Sequence, residues 1–395
     1  YKNDRFAFLE NELNFVTKEF VNSQLRNSNR TPHARRWSDQ DKAFALSIYK
    51  KSPRLYRYLD NYFQLPSIRT LKAILSKIPF ETGINPAILE HLANEVHRMK
   101  PANRVCSLLF DEISLSEGLH YQESLQKICG FEDLGSLGRS QQHANHALVF
   151  MVRGLRKQWK QIVAYYFTAS TIPTDKLMVI IKEIIGQLQA VGLNVVATVC
   201  DQGSTNQSAL TKLCSEPNEK QGPFYFFVNE QPVVTIFDVP HLLKCTRNAL
   251  LKCKLEFEPN KFAFFRHIEE VFNIDQRKSF KALPKLRVEH FNFKDSYVKI
   301  EVEVVVAQLS VYVASAIETY SVFTELLPTE DIHTAEFVKL IDDLFDSLNS
   351  SQPRASHTKP FKGALRESVP HWDLWSKLLT AMDHWKLTDL SSGAD

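Results

Sequence analysis

Two aspartates each follow a run of strand-forming residues, where a carboxylate can hold a metal ion. Asp201 ends the apolar stretch VVATVC and enters the turn QGSTNQ, and Asp111 lies near the end of VCSLLFDEISL. If their strands, the first and fourth of one sheet, are neighbours, the carboxylates repel unless a cation neutralises them. Two Mg²⁺ ions about 4 Å apart can activate a hydroxyl and stabilise a leaving oxygen at phosphorus. The pattern therefore indicates phosphoryl transfer on nucleic acid.

The same positions also have a structural interpretation. An aspartate before a helix is often only its N-cap, so capping stays open for Asp201. Glu112 alternates to the other face of the strand from Asp111 and should not share its ligand position. Asp238 and His241, in FDVPH, lie at another strand end. We predict that these two support the site, with helix capping as the alternative.

Basic residues occur in clusters, although the formal net charge is only +3. Arg35 and Arg36 precede a helical segment, and Arg153, Lys157 and Lys160 surround a turn between two strand-like segments. Such clusters suit DNA phosphates, and we expect the last three near the active face. The alternative is a set of solvated surfaces.

Length and composition indicate a multidomain globular protein. The chain has 395 residues, of which 44% are hydrophobic and 24% charged, so two or three domains are expected. None of the six cysteines forms a C-x-x-C pair, which argues against a structural zinc site. We find no apolar stretch near the roughly 20 residues of a membrane span and expect no membrane partner.

Residues 1–30 carry a seam of apolar residues at alternating spacings of three and four. This spacing predicts a short coiled coil that joins the chain into a homodimer or higher oligomer. An amphipathic helix packed on its own domain is equally open. The seam consists of Phe6, Leu9, Leu13, Val16 and Phe20.

Residues 31–100 contain capping signals for several short helices. One begins at Ser67 and carries Arg69, Thr70 and Lys72 near its start. Helix, turn and helix with polar residues in that position is typical of a helix-turn-helix DNA reader. A three-helix bundle with a polar outer face is the alternative.

In the remaining chain, the spacing of the apolar residues changes twice. Residues 101–250 predict three strands, a helix, a strand, a helix and a further strand, the order of an RNase H-like mixed sheet. Residues 251–365 are mainly helical, although a valine-rich segment within them also has β-propensity. The predicted class is therefore α/β plus α.

Four motifs in order, LLFDEISL, VRGLRKQWKQ, VVATVCDQGSTNQ and FDVPHLLKCTRNAL, resemble the P-element-type transposases, including relatives fused to THAP zinc modules. The resemblance implies a nuclear cut-and-paste DNA enzyme acting on transposon ends and target DNA. It also implies a split RNase H-like catalytic domain with a GTP-binding helical insertion. Asp111 and Asp201 would be the first two metal-binding acids, with Mg²⁺ or Mn²⁺ and GTP as cofactors.

Two departures from the family stand out. Its third acid has no match here, because Glu367 and Asp383 lie in no matching motif, and residues 366–395 look like an incomplete return to the RNase H-like domain. We therefore expect a truncated fragment. No phosphate-cradling G-x-x-x-x-G-K loop is present and NIDQRKSFK matches guanine-reading motifs only loosely, so GTP-binding residues stay unassigned.

Two further functions remain open. A domesticated, catalytically inactive protein would bind DNA and dimerise without cutting it. A different RNase H-like nuclease would act on nucleic acid without specificity for transposon ends.

Overall fold

The computed structural model describes residues 13–75, 81–122, 126–216, 222–294, 298 and 301–390. The chain divides into two compact units, one formed by Tyr1–Asn85 with Ser116–Ala144 and the other by Pro86–Leu115 with Asn145–Asp395. The segment between the first two long strands thus belongs to the N-terminal unit, a grouping that the sequence periodicity did not indicate.

The helices vary from about two to five turns. In chain order they are α1 Phe15–Asn27, α2 Asp39–Lys51, α3 Pro53–Asp60, α4 Ile68–Leu75, α5 Pro86–Arg98, α6 Thr174–Ala190, α7 Ser204–Cys214, α8 Val239–Leu250, α9 Phe265–Gln276, α10 Val302–Gln308, α11 Val311–Glu318, α12 Ile332–Leu348 and α13 His371–Met382.

The strands include three long ones that form the centre of the main sheet. In chain order they are β1 Gly83–Ile84, β2 Val105–Ser114, β3 His120–Gln122, β4 Lys127–Cys129, β5 Phe131–Asp133, β6 Arg139–His143, β7 His146–Gly154, β8 Lys160–Thr168, β9 Asn194–Cys200, β10 Tyr225–Val228, β11 Gln231–Phe237, β12 Cys253–Glu258, β13 Lys261–Ala263 and β14 Lys386–Asp389.

The first unit contains the short helices that the capping signals predict. Ser38 and Asp41 form a complete capping box at α2, because each side chain accepts a hydrogen bond from the other's backbone N–H. Ser52 caps α3, and the hydroxyl of Ser67 accepts from the N–H of Thr70 at α4. A small core then holds these helices together; it consists of Ala45, Tyr56, Leu65 and Leu71. Helix α5, which we grouped with them, belongs to the second unit.

Helix α1 packs on its own unit. The ring of Phe20 contacts Phe44 and Phe63, with centroids 5.6 and 5.3 Å apart. Phe6 and Leu9, two of the seam residues, lie outside the described residues, and Val16 is exposed. The contacts of Phe20 support the intradomain alternative at that position, and oligomerisation through the helix stays a prediction.

The second unit contains a mixed sheet in the order β8-β7-β2-β9-β11-β10. Strands β2, β9 and β11 run parallel, and the other neighbours pair antiparallel. This is the predicted RNase H-like arrangement. Helix α6 buries the predicted apolar stripe from Leu177 to Leu188, and the chain leaves it through Gly192, whose φ of +90° favours glycine.

The C-terminal part of the second unit contains a sheet that the sequence did not predict. Strand β12 pairs antiparallel with both β13 and β14. The described end of the chain, through Leu390, therefore joins β12, in contrast to the expected return of residues 366–395 towards the RNase H-like sheet. The predicted helices of this region do form, and the valine-rich segment is helical, as α10 and α11.

One expectation about membrane-spanning length needs correction. Among the described residues, the helical stretch Val302–Phe323 has the length and hydropathy of a membrane span. Its side chains Val305, Leu309, Val313 and Ile317 are buried in the core of the second unit. Their burial accounts for the apolar composition without a membrane.

Candidate functional site

The carboxyl ends of three neighbouring parallel strands bring the predicted acids into one row. Leu109 of β2 pairs with Val199 of β9. Extended by two residues, this register places Asp111 of β2 beside Asp201, the first residue after β9. Adjacent strands lie about 4.8 Å apart, so the two residues occupy neighbouring positions on the same face of the sheet.

Asp238 extends this row by one strand. Phe237 of β11 pairs with Cys200, and the N–H of Asp238 donates to the carbonyl of Cys200 over 2.8 Å. Its carboxylate also caps α8, because it accepts from the N–H of His241 over 3.2 Å. The imidazole of His241 lies 3.9 Å from that carboxylate and 3.3 Å from Nζ of Lys244. The capping alternative is thus observed for Asp238, which also lies beside Asp201.

Asp201 is oriented by its own turn. Its Oδ1 accepts from the N–H of Gly203 over 3.0 Å and from the side-chain amide of Asn206 over 2.6 Å. The N-cap of α7 is Gly203, so Asp201 is not the helix cap. A Cβ at position 203 would lie 3.1 Å from Oδ1 of Asp201, which explains why a glycine suits this position. The sequence analysis missed Asn206, although it lies only five residues after Asp201.

The charges of this row act on two neighbouring groups. Burial raises the pKa of the Cys200 thiol to about 12, and the carboxylates of Asp201 and Asp111 contribute. Burial also raises the pKa of Glu112; His146 lowers it, and Asp201 and Asp111 raise it further. The negative potential at these strand ends favours a cation.

The donor set fits a hard divalent cation. Oδ1 of Asp111 accepts from the N–H of Glu112 over 2.8 Å, and the bonds described for Asp201 also fall on Oδ1. Both side chains are at least partly exposed, so their carboxylates are accessible to an ion and its waters. Across the described residues no three His, Cys, Asp or Glu side chains form a closed ligand cluster. The carboxylate oxygens of Asp111 and Asp201 are thus the groups of this row that are open to a cation.

The predicted basic group on the sheet lies at the other end of the strands. Arg153 pairs with Ser107, whereas Asp111 pairs with Val149, four residues away along β7. At about 3.3 Å per residue this separation is roughly 13 Å. Lys160 pairs with Arg153, and Lys157 lies in the turn that joins them. These three residues are therefore not adjacent to the carboxylates, and their contact with DNA phosphates stays a prediction.

The predicted DNA-binding residues of the first unit lie on α4 and in the loop before α2. Arg69 and Lys72 are exposed on α4, whereas Thr70 is half-buried and its hydroxyl hydrogen-bonds to that of Ser67 over 2.9 Å. Arg36 is exposed before α2, and Nε of Arg35 is buried. Exposed guanidinium and ammonium groups on one short helix suit a phosphate backbone.

A large cavity lies in the helical part of the second unit. Its volume is about 1250 Å³. Lys285 and Arg287 line it beside Tyr312, and Lys285 Nζ lies 5.6 Å from the centroid of the tyrosine ring. On α12, Asp342 and Asp346 also line it and both pair with Lys359. The sequence showed no signal for this cavity, because its walls come from distant segments.

The loosely guanine-like motif has a structural role instead. Asp275 is fully buried and accepts from the N–H groups of Ala282 and Leu283 and from the hydroxyl of Tyr320. These three donors occupy its carboxylate within the core.

Comparison with known proteins identifies two family domains along the chain. The family of TNP-like RNase H N-terminal domains matches residues 80–214, and that of TNP-like GTP-binding insertion domains matches residues 240–362. The chain belongs to the P-element and THAP9 transposase family. Asp111 and Asp201 both lie within the range matched by the RNase H model, and their role as metal-binding acids stays a prediction.

Two curated relatives support the assignment. "Transposable element P transposase" of Drosophila melanogaster is 27% identical over 338 residues, 85% of this chain and 42% of the relative. "DNA transposase THAP9" of Homo sapiens is 27% identical over 341 residues, 83% of this chain and 36% of the relative. The chain therefore spans about two fifths of the length of these family members.

A solved structure shares the fold. The "Drosophila P element transposase strand transfer complex" superimposes with a TM-score of 0.72 at 24% identity, over 95% of this chain and 78% of that one. The predicted fold class, an RNase H-like sheet with a mainly helical insertion, is confirmed.

Proposed function

We propose that this chain is the DNA-binding and nucleotide-binding part of a P-element-like DNA transposase, with metal-dependent phosphodiester chemistry at Asp111 and Asp201. The alignment of these carboxylates at the ends of β2 and β9 carries the proposal. Mg²⁺ or Mn²⁺ would supply activation of the attacking hydroxyl and stabilisation of the leaving oxygen. The two carboxylates would hold the ion, with Asn206 and Gly203 fixing the orientation of Asp201.

Metal titration tests the catalytic part directly. Isothermal calorimetry with Mn²⁺ should detect binding by the full chain, and Asp201→Asn should weaken it at least tenfold, because the carboxylate charge is lost. Asp175→Asn is the matched control, since Asp175 is an exposed aspartate paired with Lys212 at the start of α6. Equal affinity of wild type and Asp201→Asn would remove Asp201 from the site and favour the inactive DNA-binding alternative.

The cavity beside α12 is our candidate for GTP. Lys285 and Arg287 provide exposed positive charge for phosphates. The carboxylates of Asp342 and Asp346 provide acceptors for the N–H groups of a guanine base. The volume of about 1250 Å³ exceeds what a nucleotide needs.

Nucleotide binding can be measured with a fluorescent GTP analogue and competition by ATP. Lys285→Gln with Arg287→Gln should weaken GTP binding about tenfold or more, because two phosphate contacts are lost. Lys281→Gln serves as control, since Lys281 bonds to Gln276 outside the cavity. An unchanged affinity in the double variant would exclude this cavity.

DNA binding by Arg69 and Lys72, oligomerisation through α1 and action in the nucleus complete the proposal. The nuclear location follows from a chromosomal DNA substrate. Imaging of the tagged chain in host cells tests it, and exclusion from the nucleus would contradict it.

A further inference from the structure

Helix α3 carries an exposed aromatic face that core packing does not explain. Arg54, Tyr58 and Tyr62 recur every four residues, a spacing that brings side chains to one side of a helix. Tyr58 is 58% exposed, and Tyr62, just beyond the helix end, is 67% exposed. Leu55, also exposed, lies beside them. Large apolar side chains grouped in this way mark an interaction surface.

The opposite side of the helix anchors it. Tyr56 is fully buried, and its hydroxyl donates to the carbonyl of Pro66 over 2.6 Å. Tyr56 also packs edge-on against Tyr49. The two exposed tyrosines are therefore available for a ligand while Tyr56 holds the helix in place.

The exposed rings form a pair. The ring centroids of Tyr58 and Tyr62 lie 5.1 Å apart with an interplanar angle of 54°. Each ring supports the other, so neither loses much freedom when a flat ligand stacks on it.

Positive charge surrounds this pair. Asp60 is the acidic residue of the segment, and the charge of Arg35 acts on it. The segment from residue 50 to residue 63 thus has a net positive charge that suits a polyanion. Its basic residues are Lys50, Lys51, Arg54 and Arg57.

We propose that the exposed face of α3 binds single-stranded DNA, with unpaired bases stacked on Tyr58 and Tyr62 and phosphates held by Arg54. Every base has a flat face, so such stacking accepts any sequence, and basic residues beside the rings track the backbone. Duplex DNA hides its base faces and cannot use this surface. The inference shares its ligand class with the proposed function, but it requires neither the metal site nor Arg69 and Lys72 on α4.

Fluorescence anisotropy of the full chain with labelled dT₁₂ tests this assignment. Tyr58→Ala and Tyr62→Ala should each weaken binding about fivefold or more, since stacking on one ring contributes about 1–3 kcal/mol per base. Tyr58→Phe should retain affinity within about twofold, because the ring face is kept. Tyr121→Ala is the matched control, since Tyr121 is 57% exposed on β3 in the same unit.

An abasic oligonucleotide of the same length separates stacking from charge. Wild type should bind it more weakly than dT₁₂, and the two alanine variants should bind it as wild type does. Equal losses on both oligonucleotides, or no loss on dT₁₂, would overturn the proposal. A change in sedimentation of the alanine variants without a change in dT₁₂ binding would also overturn it and identify a protein interface. Asp201→Asn should lose metal binding but keep the dT₁₂ affinity of wild type. The metal-site proposal and the single-strand proposal can therefore be refuted independently.

Discussion

Asp201 accepts hydrogen bonds from the N–H of Gly203 and from the side chain of Asn206 in the first turn of α7, so the proposed metal site predicts that Asn206 is a positioning residue. Asn206→Ala should weaken Mn²⁺ binding about tenfold to a hundredfold, the range for groups that orient a ligand, while the carboxylate itself remains. Isothermal calorimetry on the folded variant measures this affinity for Mn²⁺. Gln207→Ala is the control, because the amide of Gln207 bonds only to the carbonyl of Gln202 among the bonds described. Wild-type affinity in Asn206→Ala would contradict the positioning role.

Glu112 contributes a pH dependence to stability. Its folded pKa is raised above the ordinary 4.5, mainly by burial, so the folded state binds more protons than the unfolded state just above that pH. Stability should therefore fall as pH rises from about 4.5 through the folded pKa. Glu112→Gln removes this loss, so without metal the variant should resist urea better than wild type at pH 7.

Urea titrations at pH 4 and pH 7 in chelator-containing buffer compare the free energy of unfolding of Glu112→Gln with that of wild type. The stability advantage of Glu112→Gln should shrink at pH 4, where Glu112 is mostly protonated in both states of the wild type. A variant less stable than wild type at pH 7 would show that the carboxylate has a stabilising partner there.

Among the helices, α8 follows strand β11 of the mixed sheet and contacts the helical part of the second unit through Arg247. This side chain is fully buried and donates to the side-chain oxygen of Gln308 over 2.8 Å and to the carbonyl of Val298 over 3.1 Å. Burial lowers the pKa of Arg247 to about 10, so the side chain remains charged at neutral pH. Its guanidinium also lies 5.4 Å from the ring centroid of Phe293.

Arg247→Ala should destabilise the second unit by about 3–5 kcal/mol, because it leaves buried acceptors without a donor and opens a cavity. Thermal and urea unfolding measure the loss. Lys252→Ala, after the end of the same helix, should cost less than about 1 kcal/mol, as surface substitutions do. Equal stability of the two variants would contradict this role of Arg247.

Local signals explain which elements the sequence revealed. Caps at Ser38 and Ser52 and the stripe of α6 require only neighbouring residues, and the predicted elements appear there. Strand β12 was missed because its partner β14 lies at the far end of the chain. Asp111 and Asp201 were found because parallel strands align their carboxyl ends. The cavity beside α12 was not found, because its walls come from segments that are far apart in the sequence, and the spacing of apolar residues carries no information on such contacts.

Across the whole molecule, the two family models match residues 80–214 and 240–362, whereas the predicted DNA-binding residues Arg69 and Lys72 precede both ranges. Duplex binding should then be independent of the carboxylate pair. We expect Asp201→Asn to keep the duplex affinity of wild type within about twofold, because it alters no phosphate contact.

Salt dependence identifies the contacts that do bind duplex DNA. Arg69→Gln and Lys72→Gln should each weaken binding and lower the slope of log Kd against log salt by about 1, since each removes one phosphate contact. Anisotropy with a fixed duplex between about 50 and 200 mM salt gives the slopes. Lys176→Gln, an exposed lysine at the start of α6, is the control. If Lys176→Gln changed the slope as much as Lys72→Gln, the binding would reflect net charge, and α4 would not be the DNA-reading helix.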